Sequence, residues 1–175
     1  LYLGWSAEPV SILHPSVTGG DNTGLLALHS LSKTSNMASY RAGTVSGDEA
    51  LVQELLEVRK HAGLIVPGPI QAAMVAALGD DLHEEMQRSV YAMRRLELMK
   101  ALPEAGFTVD DSDAGLYLWC RREAMSSRET LDWLAQRGIL AAPGDFYGPK
   151  GANHVRIALT ASDEHIAEAA KRLVS

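Results

Sequence analysis

An α/β fold in two parts is what this sequence predicts, and the ordering of its apolar patterns carries that prediction. Over residues 1–80, short apolar runs bounded by Gly and Asn alternate with amphipathic helical stretches. A long charged helical stretch follows at 81–102. Beyond it, residues 103–175 read as a compact β-β-α-β-β-α unit of the kind that buries its own small core. The first part looks like the last strands and helices of a layer too small to close a sheet alone.

The elements follow in chain order. Gly24–His29 is an apolar run behind the Gly19–Asn22 turn cluster, which predicts a fully buried, parallel strand. Arg41–Gly47 predicts another strand, ended by Gly47 and Asp48 as turn and helix cap. Asp48–Gly63 then carries apolar residues at 51, 52, 55, 56 and 58, a helical pattern. Pro67-Gly68-Pro69 breaks the chain and Ile70–Leu78 restarts a helix. In the long helix, Met86, Val90, Met93, Leu96 and Met99 recur at three- and four-residue steps, a stripe expected to pack in the core. Pro103 and Gly106 end it.

The second part opens with two antiparallel strands, Phe107–Asp110 and Gly115–Cys120, around the Asp110–Asp113 turn. An amphipathic helix from Ser126 or Ser127 to Arg137 is stopped by Gly138. Ile139–Ala142 and His154–Leu159 predict further strands. Ser162–Val174 predicts a closing helix, with Asp163 and Glu164 at the end where a helix dipole favours negative charge. Trp5, Trp119 and Trp133 are expected as core or interface anchors.

Composition narrows the function. With 46% hydrophobic residues in 175, the chain has the makings of a globular core. A net charge of −6 gives no clustered Lys and Arg for phosphate backbones or acidic lipid, so neither nucleic acid nor membrane is an expected partner. Cys120 stands alone, which rules out an intrachain disulfide. It reads as a buried small hydrophobe, not a nucleophile. No apolar run approaches the roughly 20 residues of a membrane span, and residues 1–13 lack a basic leader, so the cytoplasm is the expected location. The six His show no ligand spacing, and no metal is expected. The apolar start at Leu1-Tyr2-Leu3-Gly4-Trp5, without Met, reads as a piece of a larger protein.

Chemistry concentrates in Ser30–Gly43, a segment crowded with small polar residues and set between two predicted strands. Loops at strand ends are where α/β proteins place ligand sites. There a single amine, Lys33, lies among the hydroxyls of Ser30, Ser32, Thr34 and Ser35, with the Arg41 guanidinium eight positions later. A desolvated Lys near another cation gives up part of its proton affinity and can attack a carbonyl. Arg suits a phosphate because its fork donates parallel, charge-assisted bonds. Residue types alone also allow a plain solvated Lys here.

Ser30-x-Ser32-Lys33, then Arg41-x-Gly43, resembles the lysine motif of class I/II (fold-type I) aminotransferases. A second segment is similar to that family's small-domain pattern: Pro143-Gly144-Asp145-Phe146-Tyr147-Gly148, then Asn153-His154-Val155-Arg156-Ile157-Ala158-Leu159. The resemblance covers nearly the whole chain and, in wording, is closest to actinobacterial succinyldiaminopimelate aminotransferases.

It implies part of the large sheet domain of the pyridoxal-phosphate transferases at 1–80 and a small α/β C-terminal domain at 103–175, joined by the long helix. It implies that Lys33 holds pyridoxal 5'-phosphate covalently and acts in catalysis, that Ser30 and Arg41 bind the cofactor phosphate, and that Arg156 grips the substrate α-carboxylate. It further implies that Gly43 lets its strand pack closely. The expected reaction is ping-pong transfer of an amino group from glutamate to a keto acid, with N-succinyl-2-amino-6-ketopimelate of diaminopimelate and lysine synthesis as acceptor, in a homodimer. A different aminotransferase, a β-lyase and the aminotransferase-like sensor half of a transcription regulator stay open as alternatives. The family also uses an upstream Asp and Tyr against the cofactor ring, and Tyr2 is out of register for that role. The chain by itself is therefore expected to be inactive, with a large exposed apolar patch.

Overall fold

A computed structural model describes residues 4–5, 9–63 and 65–175. Tyr2, whose register bears on the upstream Tyr, lies outside them. The described residues divide into two compact units, one within residues 9–85 and one comprising residues 86–175 with Gly4 and Trp5. In chain order the first holds α1 (Pro15–Thr18), β1 (Leu26–Ser30), α2 (Leu31–Thr34), β2 (Gly43–Gly47), α3 (Glu49–Ala62) and α4 (Gly68–Leu78). The boundary falls within α5 (Leu82–Glu104). The second unit continues with β3 (Phe107–Asp110), β4 (Tyr117–Arg122), α6 (Ser127–Ala135), β5 (Ala142–Pro143), β6 (His154–Ala158) and α7 (Asp163–Val174).

In the first unit, β1 and β2 form a two-stranded antiparallel sheet, with Leu26 opposite Gly47 and Ser30 opposite Gly43. This overturns the expectation of a buried parallel strand. The 12-residue connection at 31–42 holds only the four-residue α2 and a 3-10 turn at Ala38–Tyr40. A parallel partner would require a crossover long enough to carry the chain back along the strand, usually a full helix. The loop instead returns to the strand end it left. Nor is β1 buried: Leu28 is 80% exposed. Asp48 caps α3 as expected, its carboxylate accepting from the amides of Ala50 and Leu51 at 2.8 and 3.3 Å.

In the second unit, the sheet order is β3-β4-β6-β5, antiparallel throughout. Alternation along the strands sends Leu118, Cys120, Val155 and Ile157 to one face, where α5, α6 and α7 cover them with Leu98, Leu102, Leu134, Ile166 and Leu173. Cys120 is fully buried there, and burial, with the nearby Asp110 charge adding to it, pushes its thiol up to about 12. Ser126 and Glu129 form a reciprocal capping box on α6. The predicted strand 139–142 shrinks to Ala142–Pro143, because the Ile139 amide is tied back to the Leu134 carbonyl at 3.0 Å.

The methionine stripe of α5 is not core. Met86 and Met93 are 63% and 69% exposed, with Leu96 at 68%, while Leu98, Ala101 and Leu102 face inward. Met93 and Leu98 are five residues apart, about 140° around a helix, so one helix face cannot bury both. Only Met99 of the predicted methionines packs partly against the core.

Asp110 ties three strands together. Its Oδ2 accepts from Arg121 Nε on β4 at 2.8 Å and from His154 Nε2 on β6 at 3.1 Å. Burial works against its charge, but the bonds and charges of Arg121 and His154 outweigh that and hold the carboxyl below its usual value. A carboxyl lowered in this way adds stability above its unfolded value near 3.8, and that contribution is lost as pH falls through the lower folded value. Replacing Asp110 with Asn is expected to cost about 1 kcal/mol at neutral pH. In urea melts, the gap between parent and variant should close only below pH 3.8.

Candidate functional site

Three of the four residues singled out in the sequence lie on one segment of the first unit. Ser30, Lys33 and Arg41 lie on the segment that links β1 to β2, and the Ser30–Gly43 pairing closes that segment at its base. Paired Cα atoms stand about 5 Å apart and two residues of chain add at most about 7 Å, so Arg41 is held within roughly 12 Å of Ser30, Cα to Cα.

The segment is anchored by its inward side. Leu31, Met37 and Ala42 are buried with Met74 of α4, and Val66, Ile70, Ala73 and Ala77 pack around them. Thr34 is buried too, its hydroxyl donating to the Ser30 carbonyl at 3.3 Å. Ser35 Oγ meets His83 Nε2 at 3.1 Å. With these positions turned inward, Ser30, Lys33 and Arg41 stand exposed on the outward side. Lys33 sits in the last turn of α2, a short helix where a loop was expected, and Ser30 caps it by accepting from the Ser32 amide at 3.2 Å.

Two backbone features shape this segment. A Cβ on Gly43 would stand 2.7 Å from the His29 carbonyl oxygen, so only glycine permits the strand to approach β1 this closely. That agrees with the close packing expected of Gly43. Arg41 adopts a left-handed backbone, φ 54° and ψ 44°, where a side chain costs about 1–2 kcal/mol relative to glycine. Its Nη1 donates to the Ala38 carbonyl at 2.9 Å. Among the described residues neither Lys33 nor Arg41 forms an ion pair. An amine, a hydroxyl and a guanidinium without a countercharge, on a pinned loop, make a donor set that fits an aldehyde carrying a phosphate.

Arg156 belongs to the second unit. It sits on β6 opposite Trp119 of β4, on the sheet face away from the core. Its guanidinium lies over the Tyr117 ring, 4.0 Å from the centroid, and 5.4 Å from that of Tyr147. Trp119 meets Tyr147 edge-on at 5.7 Å and stacks on His154 at 4.9 Å. Sequence reading singled out Arg156 but missed these aromatic neighbours. The alternation Tyr117-x-Trp119-x-Arg121, which turns all three to one face of a strand, was the signal available.

Known proteins supply an independent measure. Residues 3–173 match the family description "Aminotransferase class I and II". The chain is 66% identical to a probable aminotransferase of Mycobacterium tuberculosis, across 99% of this chain and 41% of that protein. It is 58% identical to the 4-dedimethylamino-4-oxo-anhydrotetracycline transaminase of Streptomyces rimosus, across 97% of this chain and 47% of that one. An aminotransferase structure from Neisseria meningitidis superposes with a TM-score of 0.89 at 29% identity, over 98% of this chain and 46% of its own. A probable N-succinyldiaminopimelate aminotransferase of Thermus thermophilus gives 0.79 at 30% identity, over 98% and 46%. The chain thus spans under half the length of the relatives it matches. With its lysine loop and its sheet-borne arginine, the chain belongs to the class I and II aminotransferases, a family that depends on pyridoxal 5'-phosphate.

Proposed function

We propose that the complete protein carrying this chain is an aminotransferase that moves an amino group from glutamate to a keto acid in two half-reactions, with Lys33 as its catalytic amine. The observation that carries this is the pinned loop on which Lys33 and Arg41 stand without a countercharge. Arg41 keeps a left-handed backbone that glycine would adopt at less cost. Strain of that kind clusters at ligand sites, which supports a task for the Arg41 side chain.

Ser30 and Arg41 would hold the phosphate of pyridoxal phosphate and Lys33 its aldehyde carbon. Bound there, the cofactor supplies an electron sink for charge developing at the substrate Cα. Freed when the substrate amine displaces it, the Lys33 amine would take the proton from the substrate Cα as general base and deliver it, as general acid, to the carbon that was the cofactor's aldehyde. Arg156 fixes the substrate α-carboxylate through two parallel charge-assisted bonds. For the acceptor we favour N-succinyl-2-amino-6-ketopimelate, supported by the Thermus thermophilus likeness. The 58% identity to the Streptomyces rimosus transaminase supports a second reading, in which the acceptor is a polycyclic ketone. Offering the complete enzyme both acceptors with glutamate separates the two.

Two variants of the complete protein test the cofactor site. Borohydride treatment with pyridoxal phosphate should add the cofactor mass to the parent and none to Lys33→Ala. The same variant should lose about 10²- to 10⁴-fold in transamination rate, and retained rate would remove Lys33 from the chemistry. Arg41→Gly should keep or raise the melting temperature by releasing the left-handed strain, yet bind pyridoxal phosphate at least about tenfold more weakly. Unchanged affinity would take Arg41 out of the phosphate site.

A further inference from the structure

The residues around Arg156 form a layer that nothing in the family match assigns. Along β4, Tyr117, Trp119 and Arg121 alternate with buried Leu118 and Cys120; along β6, His154 and Arg156 alternate with buried Val155 and Ile157. All five layer residues therefore lie on the sheet face away from the hydrophobic core. Tyr147 reaches that face from the loop between β5 and β6. Gly144 and Gly151 close this loop so tightly that a Cβ on either would overlap the other's backbone.

Arg156 is unusual in what holds it. Among the described residues it has no carboxylate partner. Its Nε is buried without a hydrogen bond. What lies beside its guanidinium is aromatic: the central carbon stands over the Tyr117 ring, 4.0 Å from its centroid, and over the Tyr147 ring at 5.4 Å. Tyr147 packs in a T-shaped pair with Trp119, Trp119 stacks on the His154 ring, and His154 is held by its bond to Asp110. An acidic neighbour would orient the guanidinium but also neutralise it. Ring faces orient it through the quadrupole and leave its donors unspent.

We infer that Tyr117 and Tyr147 are positioning residues for carboxylate recognition: they clamp the Arg156 guanidinium between ring faces and present its two terminal amino groups, with Nε hidden, to a substrate carboxylate end-on. This rests on the reading of Arg156 as the carboxylate residue. The clamp acts through ring faces, so Phe should serve in place of Tyr and an aliphatic residue should not. The hydroxyls have no part in it.

The test uses the complete enzyme, steady-state kinetics with glutamate and 2-oxoglutarate, and four variants: Tyr147→Leu, Tyr147→Phe, Arg156→Lys and the Tyr147→Leu/Arg156→Lys pair. Tyr147 is 55% exposed, so its replacement leaves the core intact, and a thermal melt checks this. Tyr147→Leu should raise KM for both substrates about 5- to 20-fold with kcat within about threefold, and Tyr147→Phe should restore the parent KM. Arg156→Lys replaces the fork with a single point donor and should raise KM on its own. Adding Tyr147→Leu to it should then change little, since the clamp has lost what it holds. Raised KM in Arg156→Lys with an unchanged KM in Tyr147→Leu would overturn the clamp alone. A Tyr147→Phe variant as impaired as Tyr147→Leu would overturn it as well, by giving the role to the hydroxyl. An unchanged KM in Arg156→Lys would overturn the reading of Arg156 itself.

Discussion

The pairing of Ser30 with Gly43 is the constraint on which the first unit turns. It is one rung of a short antiparallel ladder, and it fixes both ends of the segment bearing Ser30, Lys33 and Arg41. A loop closed at its base loses most of its conformational freedom before any ligand arrives, so less ordering is left to oppose binding. The rung depends on glycine at 43, because the His29 carbonyl oxygen occupies the space a Cβ would take. From that closure follows the inward packing of Leu31, Met37 and Ala42 on α4, and from the packing follows which residues are left facing out.

The second unit solves its positioning problem with a sheet instead of a loop. Strict alternation gives each strand an oily face and a functional face, and the register between β4 and β6 sets which side chains are neighbours. Leu118, Cys120, Val155 and Ile157 anchor the sheet on α5, α6 and α7. The opposite face is thereby free to carry Arg156 with its rings, and Asp110 with Arg121 and His154. One substitution that flipped the register would exchange the two faces.

How much of this could be read from residues alone varies with the length scale of the cause. Local causes were legible: the Asp48 cap, the Ser126 helix start, the β-β-α-β-β-α order and the buried cysteine are each dictated by a residue and its near neighbours. The lysine loop was legible as a motif, and Ser30, Lys33 and Arg41 do share one closed segment. Partnership across the chain was not legible. A run such as Leu25–Leu28 reads as buried whatever strand lies beside it, so the antiparallel pairing and the exposure of Leu28 escaped prediction. On α5, two apolar stripes compete for one core, and periodicity does not say which wins. The aromatic setting of Arg156 needed the β4–β6 register, which no single strand contains.

The deeply buried thiol of Cys120 gives the second unit an internal clock. With its ionisation pushed up to about 12, almost none of it is thiolate in the closed state, and thiolate is the form that reacts. A disulfide reagent in solution can then capture it only in the moments when the sheet parts from its helices. The capture rate becomes a count of those openings, read at one atom in the middle of the core and without any added label.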